Sequence, residues 1–248
     1  MSKYTAERIA LDIIKSGKKL PQLPSVSQRL LFLSRQPIDK IDVTSLSRLI
    51  ESDPALTATI LQLANSPVFG TLKKIVGIRQ AIMHIGLEET ISSVYDYFYR
   101  GVLPRFPQLK GFSGKDYWDH SWACATANRM LGHPFHALMG KAVPGEMYIV
   151  GLLHGIGKLF LAISRPDDFQ RCLDSARDLN VTFEQAEKNI FGTTDAEIAY
   201  NILKEWNFPE HISTAIRHFY SPLGADKEYR GLAALTQLAH YIANISRI

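Results

Sequence analysis

The sequence YIVGLLHGIGKLFLAI, residues Tyr148–Ile163, is almost continuously apolar and decides how the rest of the chain is interpreted. A segment this apolar belongs in a protein core, and it is shorter than the ~20 residues that a membrane-spanning helix needs. The segment therefore predicts a buried helix. Glycine costs a helix about 1 kcal/mol relative to alanine, so we expect neighbouring elements to approach closely at Gly151, Gly155 and Gly157.

Two polar side chains, His154 and Lys158, interrupt this apolar segment one helical turn apart. A histidine buried here needs a hydrogen-bond partner or a metal ion, because an unpaired buried polar group is costly. For one isolated histidine, a hydrogen-bonded core side chain is the simpler interpretation. Lys158 either places its ammonium group near the same pocket or extends it to solvent along an apolar stem.

The composition is that of a globular protein. With 248 residues and 46% hydrophobic residues, the chain is long enough to form a core as one large domain or two small ones. Residues 1–110 hold 15 Lys/Arg and 9 Asp/Glu, a scattered surplus of six positive charges. A surplus this mild gives little support to nucleic acid as the main partner.

The cysteines and the N-terminus bear on the cellular compartment. Cys124 and Cys172 form no CxxC pair, which argues against a disulfide framework or a thiolate metal site and fits a reducing compartment. The charged N-terminal residues lack the apolar core of a signal peptide. We therefore expect a cytoplasmic protein with no membrane partner.

Helix-start signals recur along the chain, and no segment shows the sustained alternation of a strand. Asp53 followed by Pro54 is a favourable N-cap with proline at the first helical position. The spacing of the capping box occurs at Thr182–Gln185 and again at Thr194–Glu197. We predict an all-α protein, with further helices over residues 4–16, 25–35, 43–51, 78–85, 87–100, from 116, 166–179, 209–218 and 230–244.

Two sets of motifs resemble known families. GLLHGIGKL, residues 151–159, resembles the GLLHDIGKL helix of the HD superfamily of metal-dependent phosphohydrolases, with Gly155 in place of the aspartate. LPQLPSV, IESDPALTATILQLANSPVFG and IRQAIMHIGLEE resemble the N-terminal half of the HDOD family, in that family's order across residues 20–95. HDOD domains are relatives of the HD enzymes that typically lack the full metal-binding set and occur in bacterial signalling proteins.

This resemblance covers roughly residues 18–245 and implies a multi-helix HD-like bundle with an N-terminal helical lobe. Pro104 and Pro107 interrupt the helical pattern between the two parts. We predict an N-terminal helix over residues 1–19, an N-terminal helical lobe of the HDOD module over 20–102, and an HD-like helical lobe over 103–248. In the first lobe, the helix after Asp53 should bury one face, consisting of Leu56, Ile60, Leu63 and Ala64.

The resemblance also assigns candidate metal ligands. HD enzymes hold a divalent metal with a first histidine, a His-Asp pair and a distant aspartate, which correspond here to His120, His154–Gly155 and His240. Both carboxylates are therefore replaced. The three histidines are candidates for a vestigial metal site and should lie close together. Three imidazoles are ligands that zinc accepts, and the alternative is a pocket hydrogen-bonded to backbone, water or itself.

The HD-GYP branch, which hydrolyses cyclic dinucleotides, adds histidines that align here with Asp195 and with His218–Phe219. Two of those three positions hold other residue types, and no GYP sequence follows. We therefore reject a cyclic-dinucleotide phosphodiesterase. For Asp195 the simpler interpretation is a carboxylate that stabilises a helix N-terminus.

Two functions stay open. The first is a non-catalytic regulatory module of the HDOD type, with no catalytic residues and no cofactor, acting on a protein partner in a signalling pathway. The second is a metal-dependent phosphohydrolase with an altered His-rich site that holds Zn²⁺ or another divalent ion. The loss of both carboxylates favours the first. Nucleic-acid binding ranks last, and the sequence leaves the upstream signal, the partner and the oligomeric state open.

Overall fold

The structure is a computed structural model that describes residues 6–15, 40–70, 74–102, 107–139 and 144–245. Within these ranges all regular secondary structure is helical, apart from one isolated β-bridge between Leu109 and Phe112. The prediction of an all-α protein is confirmed. The helix predicted over residues 25–35 lies outside the described residues.

The chain divides into two compact units: a smaller unit over residues 23–103, and a larger unit that combines residues 1–22 with residues 104–248. Helix α1, Ala6–Lys15, belongs to the larger unit. The smaller unit contains α2 (Val43–Glu51), α3 (Pro54–Ala64), α4 (Ile78–Ile85) and α5 (Leu87–Val102). The domain boundaries derived from the sequence stay a prediction about folding units.

The smaller unit forms where its helix-start signals predict. The carboxylate of Asp53 accepts hydrogen bonds from the backbone N–H groups of Ala55 and Leu56, so it caps α3 as expected. Leu56, Ile60 and Ala64 are fully buried, whereas Leu63 is half-buried at the edge of this face. The buried face of α3 is therefore the predicted one. In its last turn Ala64 is fully buried, and the larger Leu63 is only half-buried.

The larger unit continues with eight helices in its described part. Its short 3-10 turns cover His133–Leu138 and Pro222–Gly224. The α-helices are α6 (Gly114–Gly132), α7 (Pro144–Leu153), α8 (Ile156–Ser164), α9 (Pro166–Asp178), α10 (Phe183–Phe191), α11 (Asp195–Glu205), α12 (Glu210–Arg217) and α13 (Arg230–Ile245).

The two capping-box spacings behave differently. Thr182 and Gln185 make both reciprocal hydrogen bonds at the start of α10. At the start of α11, the Thr194 hydroxyl accepts from the Glu197 N–H, but the Glu197 carboxylate accepts from Arg217 instead of returning to the cap. The spacing alone predicts where both helices start. At the second start, the ion pair with Arg217 determines which group the Glu197 carboxylate binds.

The central apolar segment is two helices rather than the single helix predicted. Helix α7 ends at Leu153, His154 and Gly155 form a turn, and α8 begins at Ile156. The carbonyl of Gly151 would accept from the amide of residue 155 in an unbroken helix, and here it lies 2.6 Å from Nδ1 of His154. The imidazole thus competes for a helix acceptor, and the helix breaks next to it.

Neighbouring helices approach this segment closely at Gly151 and Gly157, as predicted, but not at Gly155, where a Cβ atom would make an ordinary contact of 3.4 Å with Tyr117. A Cβ atom on Gly151 would lie 2.5 Å from the carbonyl oxygen of Cys124 in α6. A Cβ atom on Gly157 would overlap the carbonyl oxygen of Asp195 at the start of α11. Among the described residues, Glu146–Ser164 is the stretch long and apolar enough to cross a membrane, and 83% of its apolar window is buried inside the protein.

Truncating the centre of the buried α3 face should destabilise the smaller unit. We expect Ile60→Ala to lower the free energy of unfolding by about 2–5 kcal/mol, because the mutation leaves a cavity in a fully buried site. Urea denaturation monitored by circular dichroism measures the change. Gln62→Ala, on the exposed side of the same helix, is the matched control and should shift stability by no more than about 0.5 kcal/mol.

Candidate functional site

Three predicted site histidines converge in the larger unit. His120 comes from α6, His154 from the turn between α7 and α8, and His240 from α13. Nδ1 of His240 lies 3.1 Å from Nε2 of His120 and 3.1 Å from Nε2 of His154. The ring centroids of His120 and His154 are 5.4 Å apart. The predicted proximity is confirmed, whereas metal binding stays a prediction.

A fourth potential ligand, Cys124, joins the three histidines. Its Sγ atom lies 3.5 Å from Nε2 of His120, and the side chain is fully buried. The four ligand atoms all lie within 4.8 Å of one another. Sequence reasoning missed Cys124 because it sought a CxxC pair; the usable signal was the i, i+4 spacing of His120 and Cys124 on one helix face.

Close backbone packing holds the site together. At Gly151, α7 touches the backbone of α6 at Cys124 and Ala125, one turn from His120. Helices α6 and α13 are joined by a buried hydrogen bond in which the Asn128 amide donates to the Thr236 hydroxyl over 3.1 Å. The helices that carry the site are therefore fixed by contacts independent of the histidines.

Hydrogen bonds orient two of the three imidazoles. Nδ1–H of His154 donates to the Gly151 carbonyl at 2.6 Å, which leaves the Nε2 lone pair directed at the cluster. The other ring nitrogen of His240, Nε2, lies 3.0 Å from the side-chain amide of Asn244. Each of these two side chains therefore has its outer nitrogen engaged by a neighbour and its inner nitrogen directed at the cluster.

Burial disfavours the charged forms of three of the four side chains in the cluster. Burial is the largest cause that lowers the pKa of His154 to about 3, and the charges of His120 and Lys158 contribute to the same shift. Burial, followed by the charge of Lys158, also lowers the pKa of His240. Burial raises the pKa of the Cys124 thiol to about 12. Without a cation, His154 and His240 are therefore neutral imidazoles and Cys124 is a thiol.

The sequence leaves two interpretations of the Lys158 side chain open: an ammonium group near the pocket, or one extended to solvent. Each holds in part. It is half-buried, and its charge lowers the pKa of His240 and opposes the raised pKa of Cys124. Its Nζ atom lies 5.1 Å from the ring centroid of Phe183, which is a cation–π distance. The ammonium group thus acts on the cluster electrostatically while resting on an aromatic face.

Aromatic rings lie at or beside two positions, 155 and 219, where the resemblance to HD and HD-GYP enzymes implies metal ligands. A Cβ atom on Gly155 would lie 3.4 Å from Cε2 of Tyr117, a buried side chain. Phe219, at a position where HD-GYP enzymes have histidine, lies with its ring centroid 5.3 Å from His154 and 5.4 Å from His240. The ligand set that the structure brings together therefore contains no oxygen donor.

Comparison with models of known protein families identifies the family of this chain. The model of the HDOD domain matches residues 20–222. This chain belongs to the HDOD domain family. The match includes His120 and His154 of the HDOD site, and His240 lies beyond it.

One curated relative matches most of this chain. An uncharacterized protein of Treponema pallidum (strain Nichols) is 27% identical over 235 residues, which are 94% of this chain and 44% of that protein. The chain thus spans less than half the length of this curated relative.

Two solved structures have the same fold. A HDOD domain protein of unknown function from Geobacter sulfurreducens aligns with a TM-score of 0.81 and 22% identity, covering 98% of this chain and 78% of that one. A candidate phosphohydrolase from Shewanella amazonensis SB2B aligns with a TM-score of 0.75 and 24% identity, covering 99% and 83%. At these identities the likeness establishes the HDOD fold alone.

Two buried carboxyl side chains, Glu187 and Asp195, are neighbours that lie outside the ligand set of the cluster. Glu187 accepts a hydrogen bond from the N–H of Asp195 at 3.1 Å, and the Tyr220 hydroxyl donates to Asp195 at 3.0 Å. The second oxygen of each carboxyl group has no hydrogen-bond partner among the described residues. Burial, followed by the charge of Asp195, raises the pKa of Glu187 well above its usual range, which favours the protonated form of Glu187.

Glu187→Gln should weaken the pH dependence of stability. A raised folded pKa means that the contribution of the protonated side chain is complete below the unfolded pKa of about 4.3 and is lost as pH rises through the folded pKa. Glutamine keeps the neutral shape and cannot ionise. We therefore expect the free energy of unfolding of the variant to fall less than that of the wild type as pH rises, measured by urea denaturation.

The control for this measurement is Glu205→Gln, an exposed glutamate at the end of α11. It should leave the pH profile of the wild type unchanged. Equal pH slopes for Glu187→Gln and the wild type would contradict a protonated Glu187.

Proposed function

We propose that this HDOD chain is a non-catalytic regulatory module that acts by binding a protein partner in a signalling pathway. The observation that carries the proposal is the chemistry of the donor set, which in the part of the chain that the structure describes consists of three imidazoles and one thiol, with no carboxylate. The positions that the HD resemblance assigns to aspartates hold Gly155 and His240. The resemblance to a family found in signalling proteins supplies the regulatory role.

Hydrolysis of a phosphate ester by an HD-type site needs a metal with an open position for water and charge to activate that water. Mg²⁺ and Mn²⁺ prefer oxygen ligands, which the cluster lacks. The nearby space beside Gly155 faces the ring of Tyr117. Glu187 and Asp195, which are both buried, are engaged with each other and with Tyr220.

The alternative function is a metal-dependent phosphohydrolase with an altered site. Two observations favour it over other enzymes: the convergence of four ligand atoms, and the fold shared with the candidate phosphohydrolase from Shewanella amazonensis. It would require a single bound ion to activate water without a carboxylate neighbour. Because the regulatory proposal excludes turnover and the alternative demands it, one assay separates them.

The purified chain should release no phosphate from a panel of nucleotides or from a generic phosphomonoester. Mg²⁺, Mn²⁺ and Zn²⁺ are each added, because zinc tolerates a site of neutral donors that the harder ions do not. We expect phosphate release to equal that of buffer with metal alone. Turnover that disappears in His154→Ala would establish the enzyme and overturn the regulatory proposal.

The matched comparison is the double variant Gly155→Asp/His240→Asp, which restores both carboxylates. The backbone at residue 155 has φ −91° and ψ 6°, which any L-residue adopts, and a Cβ atom there makes an ordinary contact of 3.4 Å. Aspartate is also a favourable N-cap for α8. Activity in the double variant alone supports a scaffold whose hydrolytic ligands have been replaced.

The binding of a protein partner needs its own test. In-cell crosslinking from the chain, followed by mass spectrometry, should recover a specific protein above the level of an unrelated helical control. Recovery of nucleic acid in place of protein would contradict this part of the proposal.

A further inference from the structure

We infer that Cys124 is the fourth ligand of a closed metal site completed by His120, His154 and His240, and that this site takes a thiophilic divalent ion of the Zn²⁺ class. The inference deepens the proposed function, since it assumes that the site is structural or regulatory rather than hydrolytic. Four protein ligands are typical of structural zinc sites, whereas catalytic sites keep one position open for water.

The separations of the ligand atoms fit one tetrahedral ion. Zinc binds nitrogen at about 2.0–2.1 Å and sulfur at about 2.3 Å, so tetrahedral neighbours lie about 3.3 Å apart for two nitrogens and about 3.6 Å apart for nitrogen and sulfur. The corresponding distances are 3.1 Å, 3.1 Å and 3.5 Å. The other three separations are within 4.8 Å, so an ion at the centre requires side-chain shifts of about 1 Å.

The outer hydrogen bonds of the histidines suit metal binding. Metal-bound histidines typically donate the other ring N–H to an acceptor, which fixes the ligating nitrogen. Nδ1–H of His154 already donates to Gly151. Nε2 of His240 lies 3.0 Å from Nδ2 of Asn244, and a 180° rotation of that amide group brings its oxygen to accept Nε2–H when Nδ1 binds the ion. On binding, the Cys124 thiol releases its proton to solvent and ligates as thiolate.

The donor types select the ion. Thiolate and imidazole suit Zn²⁺ and Co²⁺, whereas Mg²⁺, Mn²⁺ and Ca²⁺ require oxygen ligands. The backbone contact at Gly151 and the Asn128–Thr236 hydrogen bond hold the ligand-bearing helices in place, so the site needs little reorganisation.

Cobalt titration tests the ligand set directly. Co²⁺ is added to the metal-stripped full chain, and the visible spectrum is recorded with and without Zn²⁺ as competitor. We expect one equivalent to give the intense bands of tetrahedral Co²⁺ with a near-ultraviolet thiolate-to-cobalt band, both removed by Zn²⁺. Cys124→Ser should lose the thiolate band. Cys172→Ser, which changes the other buried cysteine, should keep it.

Asn244→Ala tests the outer hydrogen bond. Loss of such a partner typically weakens metal affinity about 10–100-fold, so the variant should need correspondingly more Zn²⁺ to displace Co²⁺. Asn201→Ala, in which the altered amide belongs to α11 and donates to the Glu197 carbonyl, is the matched control and should leave zinc affinity unchanged.

X-ray absorption of the zinc-loaded, unmodified chain keeps the test independent of variant folding. It should show one sulfur at about 2.3 Å and nitrogen ligands at about 2.0–2.1 Å. Absence of stoichiometric binding, a weak octahedral cobalt spectrum, or a zinc shell without sulfur would each overturn the inference. None of these outcomes bears on whether the chain hydrolyses phosphate esters. Phosphate release, in turn, would overturn the proposed function without changing the ligand set.

Discussion

The larger unit depends on one close contact, between α7 at Gly151 and the α6 backbone at Cys124 and Ala125. Any side chain on residue 151 would collide with that backbone, so the two helices approach to this distance only because the position is glycine. The contact brings His154, three residues further on, beside the face of α6 that carries His120. Core packing and site geometry therefore follow from the same missing side chain.

The same depth of burial determines the electrostatics of the site. Imidazoles that are removed from water lose their charged form, as the lowered pKa of His154 and His240 shows. The nearby pair Glu187–Asp195 responds in the opposite direction, with the pKa of Glu187 raised. Burial thus disfavours charge on His154, His240 and Glu187, and the donors that the cluster offers are nitrogen and sulfur atoms. Such a group binds a borderline-soft cation better than a hard one.

Local rules predicted most of the fold, because most helix ends are decided within a few residues. Asp53 and the Thr182–Gln185 pair cap their helices as their spacing indicates. The turn at His154–Gly155 escaped prediction because an imidazole in the core competes for a backbone carbonyl, which periodicity does not register. Cys124 escaped because its spacing from His120 has meaning only once both lie on one helix face.

The helix packing and the donor chemistry of the site depend on different positions. Gly151 and Gly157 set the spacing of the helices, and neither supplies a ligand. Residues 124, 155 and 240 decide whether the space between those helices offers carboxylates or neutral nitrogen and sulfur. Because these two groups of positions are separate, exchange of the ligands need not disturb the packing. A shared fold therefore carries no activity by itself, and the donor atoms must be identified one by one.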